Sequence, residues 1–144
     1  MFKTIVLCLD GSEGSRRAVP VAIDLAERAG SRVVIAHVEE KLAAKGGPDL
    51  HADEDEIQAT IRSQAEELAA AGIETTVKMA TVMRGGPAPA IARIADEVDA
   101  DLIVLGTRGH SAVPGVLLGG VTQRLLHIGH RPVLAVPPRD RHSA

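Results

Sequence analysis

The chain has 144 residues, of which 45% are hydrophobic and 24% charged, and these proportions are typical of one folded globular domain. Its formal net charge is −3, so it has no overall positive field that would hold it on nucleic acid or on an anionic membrane. Aromatic residues make up 1% of the chain, which excludes recognition of bases by aromatic stacking and predicts an aliphatic core.

The single cysteine, Cys8, cannot form an internal disulfide, and it lies in an apolar run where we expect it to pack as an inert core residue. The first residues do not form a signal peptide, and no stretch approaches the roughly 20 apolar residues of a membrane span. We therefore expect a soluble, cytoplasmic protein that binds neither membrane nor nucleic acid. Residues 1–72 carry 13 acidic and 8 basic side chains, whereas residues 73–144 carry 6 and 8, so an anion site is expected in the second half.

Five apolar runs predict strands, at residues 4–9, 32–38, 75–81, 102–105 and 132–136, and the first of them predicts a strand that is buried on both faces. Four apolar stripes at helical spacing lie between them, and the acidic run at residues 53–56 predicts the start of the second helix. The first helix begins between Ser12 and Ser15 and ends at Gly30. The inward-facing residues of the four helices are Ala18, Ala22, Leu25, Ala26 and Ala29; Ile57, Ile61, Ala65, Leu68 and Ala69; Ile91, Ile94, Ala95 and Val98; and Val121, Leu125 and Ile128.

Strands that alternate with helices predict a parallel sheet, because parallel neighbours cannot be joined by a tight hairpin. We expect a doubly wound, five-stranded Rossmann-like α/β sandwich with strand order 3-2-1-4-5, formed as one domain by residues 1–137, and a disordered tail at residues 138–144. Ligands of such sheets bind beyond the carboxyl ends of the strands where the strand order reverses. Asp10 and Gly106 follow the first and fourth predicted strands and mark this position.

Several segments carry a resemblance to a known family. The first strand ends in Asp10, Gly11 and Ser12, the fourth ends in Gly106, and residues 132–136 form a Pro-Val-Leu-Ala-Val closing strand. In these segments, which together span nearly the whole chain, the sequence resembles the universal stress protein family. Gly106, Gly109 and Gly119 have the spacing Gly-x2-Gly-x9-Gly. This spacing resembles the nucleotide-binding motif of the family's ATP-binding branch.

The resemblance implies that the chain binds an adenine nucleotide, ATP with Mg²⁺ or Mn²⁺ held through the phosphates. Asp10 would face the ribose, and Val38 and Leu105 would line the adenine slot. The residues that would hold phosphate and ribose are Gly106, Gly109, Gly119, Gly120, Val121 and Thr122, with a direct charge from Arg108, His110 or Arg124. Physical chemistry supports this role, because glycines allow backbone N–H groups to approach phosphate and a helix start adds positive potential.

One position departs from the motif. Gly120 stands where the ATP-binding branch usually has Ser or Thr, so one hydroxyl donor to phosphate is missing. A hydrogen bond of this kind contributes roughly 0.5 to 1.5 kcal/mol, or about 1.5 to 3 kcal/mol when it is charge-assisted. We therefore expect weaker ATP binding rather than none.

The expected function is regulation of a stress response by nucleotide binding without significant turnover, in a homodimer that pairs through the last strand. Nucleotide occupancy would act on the loops at residues 41–53 and 110–118. An ATPase would need a base that positions water, and the sequence offers no obvious one near the glycine loop. It also lacks the P-loop, Gly-x-Ser-x-Gly and zinc-ligand patterns, so we expect no catalytic residue and no protein metal site.

Two alternative interpretations remain. The same fold with an empty pocket would make a dimeric interaction protein, and Gly120 is compatible with it. Asp10, taken alone, is also typical of a turn or a helix cap. His37, His127 and His130 lack further ligands at metal-like spacing, and we assign them structural or solvent-facing roles.

Overall fold

The computed structural model describes residues 1–41, 50–107 and 120–138, with the backbone alone for residues 50–53. The elements in these ranges are β1 (Thr4–Cys8), α1 (Glu13–Arg16), α2 (Ala18–Ala29), β2 (Arg32–Glu40), α3 (Leu50–Ala70), β3 (Thr75–Val82), α4 (Ala88–Glu97), β4 (Leu102–Gly106), α5 (Gly120–Ile128) and β5 (Val133–Val136). The predicted loop movers and the predicted tail fall largely on residues 42–49, 108–119 and 139–144, which lie outside the described residues.

The five strands form one parallel sheet in the order β3-β2-β1-β4-β5, which confirms the predicted architecture. β1 lies at the centre, where Val6 is opposite Val34 of β2 and Ile103 of β4. All five residues of β1 are buried, as expected for a strand that is covered on both faces.

Each face of the sheet carries its own apolar core. Ile5 and Leu7 of β1 pack with α2 and α3 on one face. Val6 and Cys8 pack with α4 and α5 on the other, so the predicted core position of Cys8 is confirmed. This alternation follows from the strand period of two residues.

The predicted first helix is divided into α1 and α2, which meet at Arg17. Pro20 explains the interruption, because it has no N–H group to donate to the carbonyl of Arg16 one turn earlier. The predicted end is confirmed at Gly30, which caps α2 with a φ of 68°. Ala29 was wrongly placed on the buried stripe, since it is exposed at the last residue of α2.

Other predicted boundaries shift by a few residues. β2 and β3 extend to Glu40 and Val82 because their pairing continues through that register. α3 begins at Leu50, so the acidic run at residues 53–56 lies after its first residues rather than at its start. Ala69, near the end of α3, is exposed and was wrongly assigned to the core. Within the described part of the chain, no helix combines the length and apolar character needed to cross a membrane.

Candidate functional site

The carboxyl ends of β1 and β4 lie side by side at the position where the strand order reverses. The chain leaves β1 toward β2 on one side, and it reaches β4 from β3 by a crossover on the other. In doubly wound sheets the helices diverge onto opposite faces at such a position, and the crevice between them is where ligands bind. The segments that border it are the turn after β1, the end of β4 and the first turn of α5.

Asp10 is part of a hydrogen-bonded turn that starts α1. The backbone N–H of Ser12 donates to Asp10 Oδ1 at 2.9 Å, and the Ser12 hydroxyl donates to the same oxygen. Ser12 Oγ accepts in turn from the N–H of Ser15 at 3.1 Å, which makes Ser12 the N-cap of α1. Asp10 Oδ1 therefore has the structural role that its position after a strand also predicts.

Gly106 is a glycine because another backbone segment lies against it. A Cβ built on Gly106 would lie 2.3 Å from the carbonyl oxygen of Gly14 in α1. No side chain fits there without moving backbone. The glycine that begins the predicted phosphate motif thus has a packing role that is independent of any ligand.

The first turn of α5 presents groups that suit an anion. Gly120 is exposed, and a Cβ built on it would meet no neighbouring atom of the described residues within 4 Å. Thr122 is 1% exposed, and its Oγ1 has no hydrogen-bond partner among the described residues. The first turn carries no acidic residue. The Thr122 hydroxyl has no partner among the described residues and lies at the positive end of a helix, so it suits a phosphate oxygen, but at 1% exposure it reaches a ligand only if the first turn of α5 moves.

The two predicted adenine-lining residues differ in accessibility. Val38 is half-buried and packs against the core on the α4–α5 face, near the end of β2. Leu105 is 4% exposed and is itself part of that core, so it offers little side-chain surface to a ligand. Val121 is half-buried in α5. The remaining predicted site residues, Arg108, Gly109 and Gly119, lie outside the described residues.

A buried polar cluster lies beside this edge, and the sequence patterns did not identify it. His37 of β2 is 3% exposed, and its Nδ1 lies 3.0 Å from the carbonyl oxygen of Leu9. Its Nε2 lies 2.9 Å from Glu54 Oε2, and that oxygen also accepts from Gln58 Nε2 at 2.8 Å. The signal available in the sequence was a histidine within an apolar strand, a setting in which the ring needs buried partners.

Cys8 is the buried titratable group nearest to Asp10 in sequence. Burial raises the pKa of its thiol to about 12, and the negative charge of Asp10 acts in the same direction. The thiol is therefore neutral at physiological pH and is not a nucleophile. Among the described residues, no group of three or more His, Cys, Asp or Glu side chains is arranged to hold a metal ion.

The fold and its crevice define the chain as a doubly wound α/β protein with a switch-point edge. The family model described as the universal stress protein family matches residues 1–137. A universal stress protein of Thermus aquaticus is 35% identical over 138 residues, which cover 94% of this chain and 99% of that protein. The chain belongs to the universal stress protein family.

Solved structures agree with this assignment. A universal stress protein whose crystal structure was solved in complex with cAMP is 32% identical to this chain and superimposes with a TM-score of 0.68. The match covers 94% of this chain and 97% of that protein. A universal stress protein from Archaeoglobus fulgidus in complex with dAMP shares the fold at 22% identity and a TM-score of 0.68, with 94% of this chain and 98% of that chain covered.

Proposed function

We propose that the protein binds an adenine nucleotide, ATP with a divalent ion, and acts as a stress-response regulator without significant turnover. The observation that carries the proposal is the buried Thr122 hydroxyl, which has no partner among the described residues, in the open first turn of α5. The 32% identical universal stress protein that was solved in complex with cAMP supports an adenine nucleotide as the ligand class.

In this proposal, the start of α5 holds the phosphates through its free amides and the Thr122 hydroxyl. Arg124, exposed one turn into the helix, adds a positive charge, as would Arg108. Gly109, Gly119 and Gly120 leave room for the backbone to approach phosphate. The nucleotide supplies phosphate oxygens that a divalent ion prefers as ligands, so the ion needs no protein cluster.

Two described carboxylates beside the end of β1 are engaged in hydrogen bonds, which supports binding without hydrolysis. Asp10 Oδ1 is held by Ser12, and Glu54 is held by His37 and Gln58. Hydrolysis needs a group that positions water on the terminal phosphate as well as a metal ion. Neither carboxylate is set to take that position.

The proposal is tested by titrating ATP with Mg²⁺ calorimetrically, because the chain has no Trp or Tyr to report binding. Thr122→Val preserves the shape of the side chain and removes its hydroxyl, and we expect it to lower the affinity for ATP by about tenfold. Thr60→Val, at an exposed position in α3, is the matched control and should leave affinity unchanged. Equal affinity in the wild type and Thr122→Val would contradict the proposed phosphate site.

Gly120→Ser tests the departure from the motif. A Cβ at Gly120 meets no neighbouring atom of the described residues, so the serine introduces no clash with them and restores a hydroxyl at the helix start. We expect it to raise the affinity for ATP by about tenfold, because the serine regains a hydrogen bond to a charged phosphate. Unchanged or weaker binding would contradict the missing-donor interpretation.

The alternative is an interaction protein that binds no nucleotide. It would be favoured by the absence of heat up to millimolar ATP together with the absence of any nucleotide released from the freshly purified, denatured protein. Steady phosphate release over several turnovers per minute would instead indicate an ATPase.

We also propose that the protein is a homodimer that pairs through β5. The carbonyls of Pro132 and Val136 accept from Ile103 and Thr107, at 3.0 Å each, so this set of residues faces β4. The intervening residues, Val133 and Ala135, direct their backbone groups to the outer edge of the sheet. Leu134 adds apolar surface, with 36% of it exposed. Such an edge favours pairing with a second copy.

A further inference from the structure

His37 and Glu54 bridge the sheet and α3 across 17 positions of the chain, and both side chains are largely buried. His37 is 3% exposed and Glu54 12% exposed. Nδ1 of His37 lies 3.0 Å from the carbonyl of Leu9, and Nε2 lies 2.9 Å from Glu54 Oε2. Both ring nitrogens therefore meet groups that accept hydrogen bonds.

The contact between His37 Nε2 and Glu54 Oε2 requires a hydrogen between the two atoms. A backbone carbonyl can only accept, so the contact of Nδ1 with Leu9 is a hydrogen bond when Nδ1 carries the ring hydrogen. In neutral imidazole, Nε2 is then bare and its lone pair faces the lone pair of a carboxylate oxygen. One additional proton between Nε2 and Oε2 turns this repulsion into a charge-assisted hydrogen bond.

We propose that His37 and Glu54 form a proton-dependent latch that holds the beginning of α3 on the carboxyl ends of β1 and β2. The latch is argued from contacts within the chain and does not rest on the proposed function. Removing the bridging proton leaves two buried acceptors facing each other, and the contact opens.

The described groups that bond or flank the pair carry no positive charge; the side chains of residues 42–53 lie outside the described residues. On β2, Glu39 lies on the same face as His37, two residues further along, and Asp10 follows Leu9 after β1. On β3, the position opposite His37 is Met79. From α3 the polar groups are Glu54 and the neutral Gln58.

Release of the latch would loosen the cover of the turn after β1. Ile57, three residues beyond Glu54, lies so close to Gly11 that a Cβ there would be 3.0 Å from Ile57 Cγ2. Gly11 follows Asp10 directly. The start of α3 therefore touches the same turn that borders the crevice.

The test is amide hydrogen exchange of the nucleotide-free protein at a series of pH values between about 5 and 8. Protection of residues 54–60, corrected for the intrinsic pH dependence of exchange, should fall by about tenfold or more from the lowest to the highest pH. In Glu54→Gln, the amide can donate to bare Nε2, so protection should be independent of pH. Glu56→Gln, an exposed neighbour in α3, should behave like the wild type.

Nitrogen NMR of the His37 ring in the wild type gives a readout that does not depend on any variant. We expect the doubly protonated ring or a proton shared with Glu54 at low pH, and the Nδ1–H tautomer at high pH. The latch is overturned by an Nε2–H tautomer at all pH values, by wild-type protection that does not change with pH, or by the same pH dependence in Glu54→Gln.

Discussion

Cys8 shows how burial determines the chemistry of a residue. Because the pKa of its thiol rises from 9.0 to about 12, the native protein should react with iodoacetamide at pH 8 at least about 100-fold more slowly than the urea-unfolded protein. Mass spectrometry of quenched samples measures the two rates. Equal rates would show that the thiol is accessible and ionised in the native state.

The same pKa shift has a consequence for stability. The folded pKa lies above the unfolded value, so the contribution of this thiol is complete below about pH 9 and is lost as the pH rises toward 12. In Cys8→Ala, the free energy of unfolding should therefore decline less between pH 9 and 12 than in the wild type. The same decline in the wild type and in Cys8→Ala would contradict a raised pKa of the Cys8 thiol.

Gly106 packs directly against the backbone of α1. Gly106→Ala places a Cβ 2.3 Å from the carbonyl oxygen of Gly14, and it should lower the free energy of unfolding by about 2 kcal/mol or more. Urea unfolding followed by far-ultraviolet circular dichroism measures this. Gly120→Ala, whose Cβ meets open space, is the control and should not be destabilised. A loss of ATP binding in Gly106→Ala would then report misfolding, whereas a stable Gly106→Ala would contradict the packing role.

At the scale of one element, α1 depends on Ser12. Its hydroxyl accepts from Ser15 N–H and donates to Asp10, so Ser12→Ala removes the helix cap and one bond of the preceding turn. The expected loss of stability is about 1 to 2 kcal/mol, measured by urea unfolding. Glu13→Ala, at the exposed next position, is the control. A Ser12→Ala variant as stable as Glu13→Ala would show that the cap does not stabilise the turn.

The elements themselves could be predicted because their signals are local. β1 and β4 are unbroken apolar runs, and the stripe of α4 at Ile91, Ile94, Ala95 and Val98 is buried as expected. The ends were less certain, because pairing with a neighbour decides where β2 stops. The division between α1 and α2 followed from one missing N–H group, at Pro20.

At the scale of the whole molecule, alternation of strands and helices was enough to predict a parallel, doubly wound sheet, because parallel neighbours need crossovers, but it is compatible with more than one strand order. The partner of His37 was not predictable in this way. Glu54 belongs to an acidic run typical of a solvated helix start, and only the docking of α3 turns one of these carboxylates inward. Likewise, contact with Gly14 gives Gly106 a packing role that spacing alone does not reveal.

The proposed homodimer gives the last prediction. Ala135→Pro removes an outward-facing N–H from β5 and leaves the bonds to β4 in place, so sedimentation should show conversion from twice the monomer mass to the monomer. Val77→Pro is the matched control at the other edge of the sheet. The carbonyls of Glu74 and Val82 accept from Val33 and Lys41 of the chain beside them, so Val77 of β3 also faces outward. The Val77→Pro variant should remain a dimer, because β3 is not part of the proposed interface. Dissociation by Val77→Pro alone would move the interface to β3, and a monomeric wild type would exclude the homodimer.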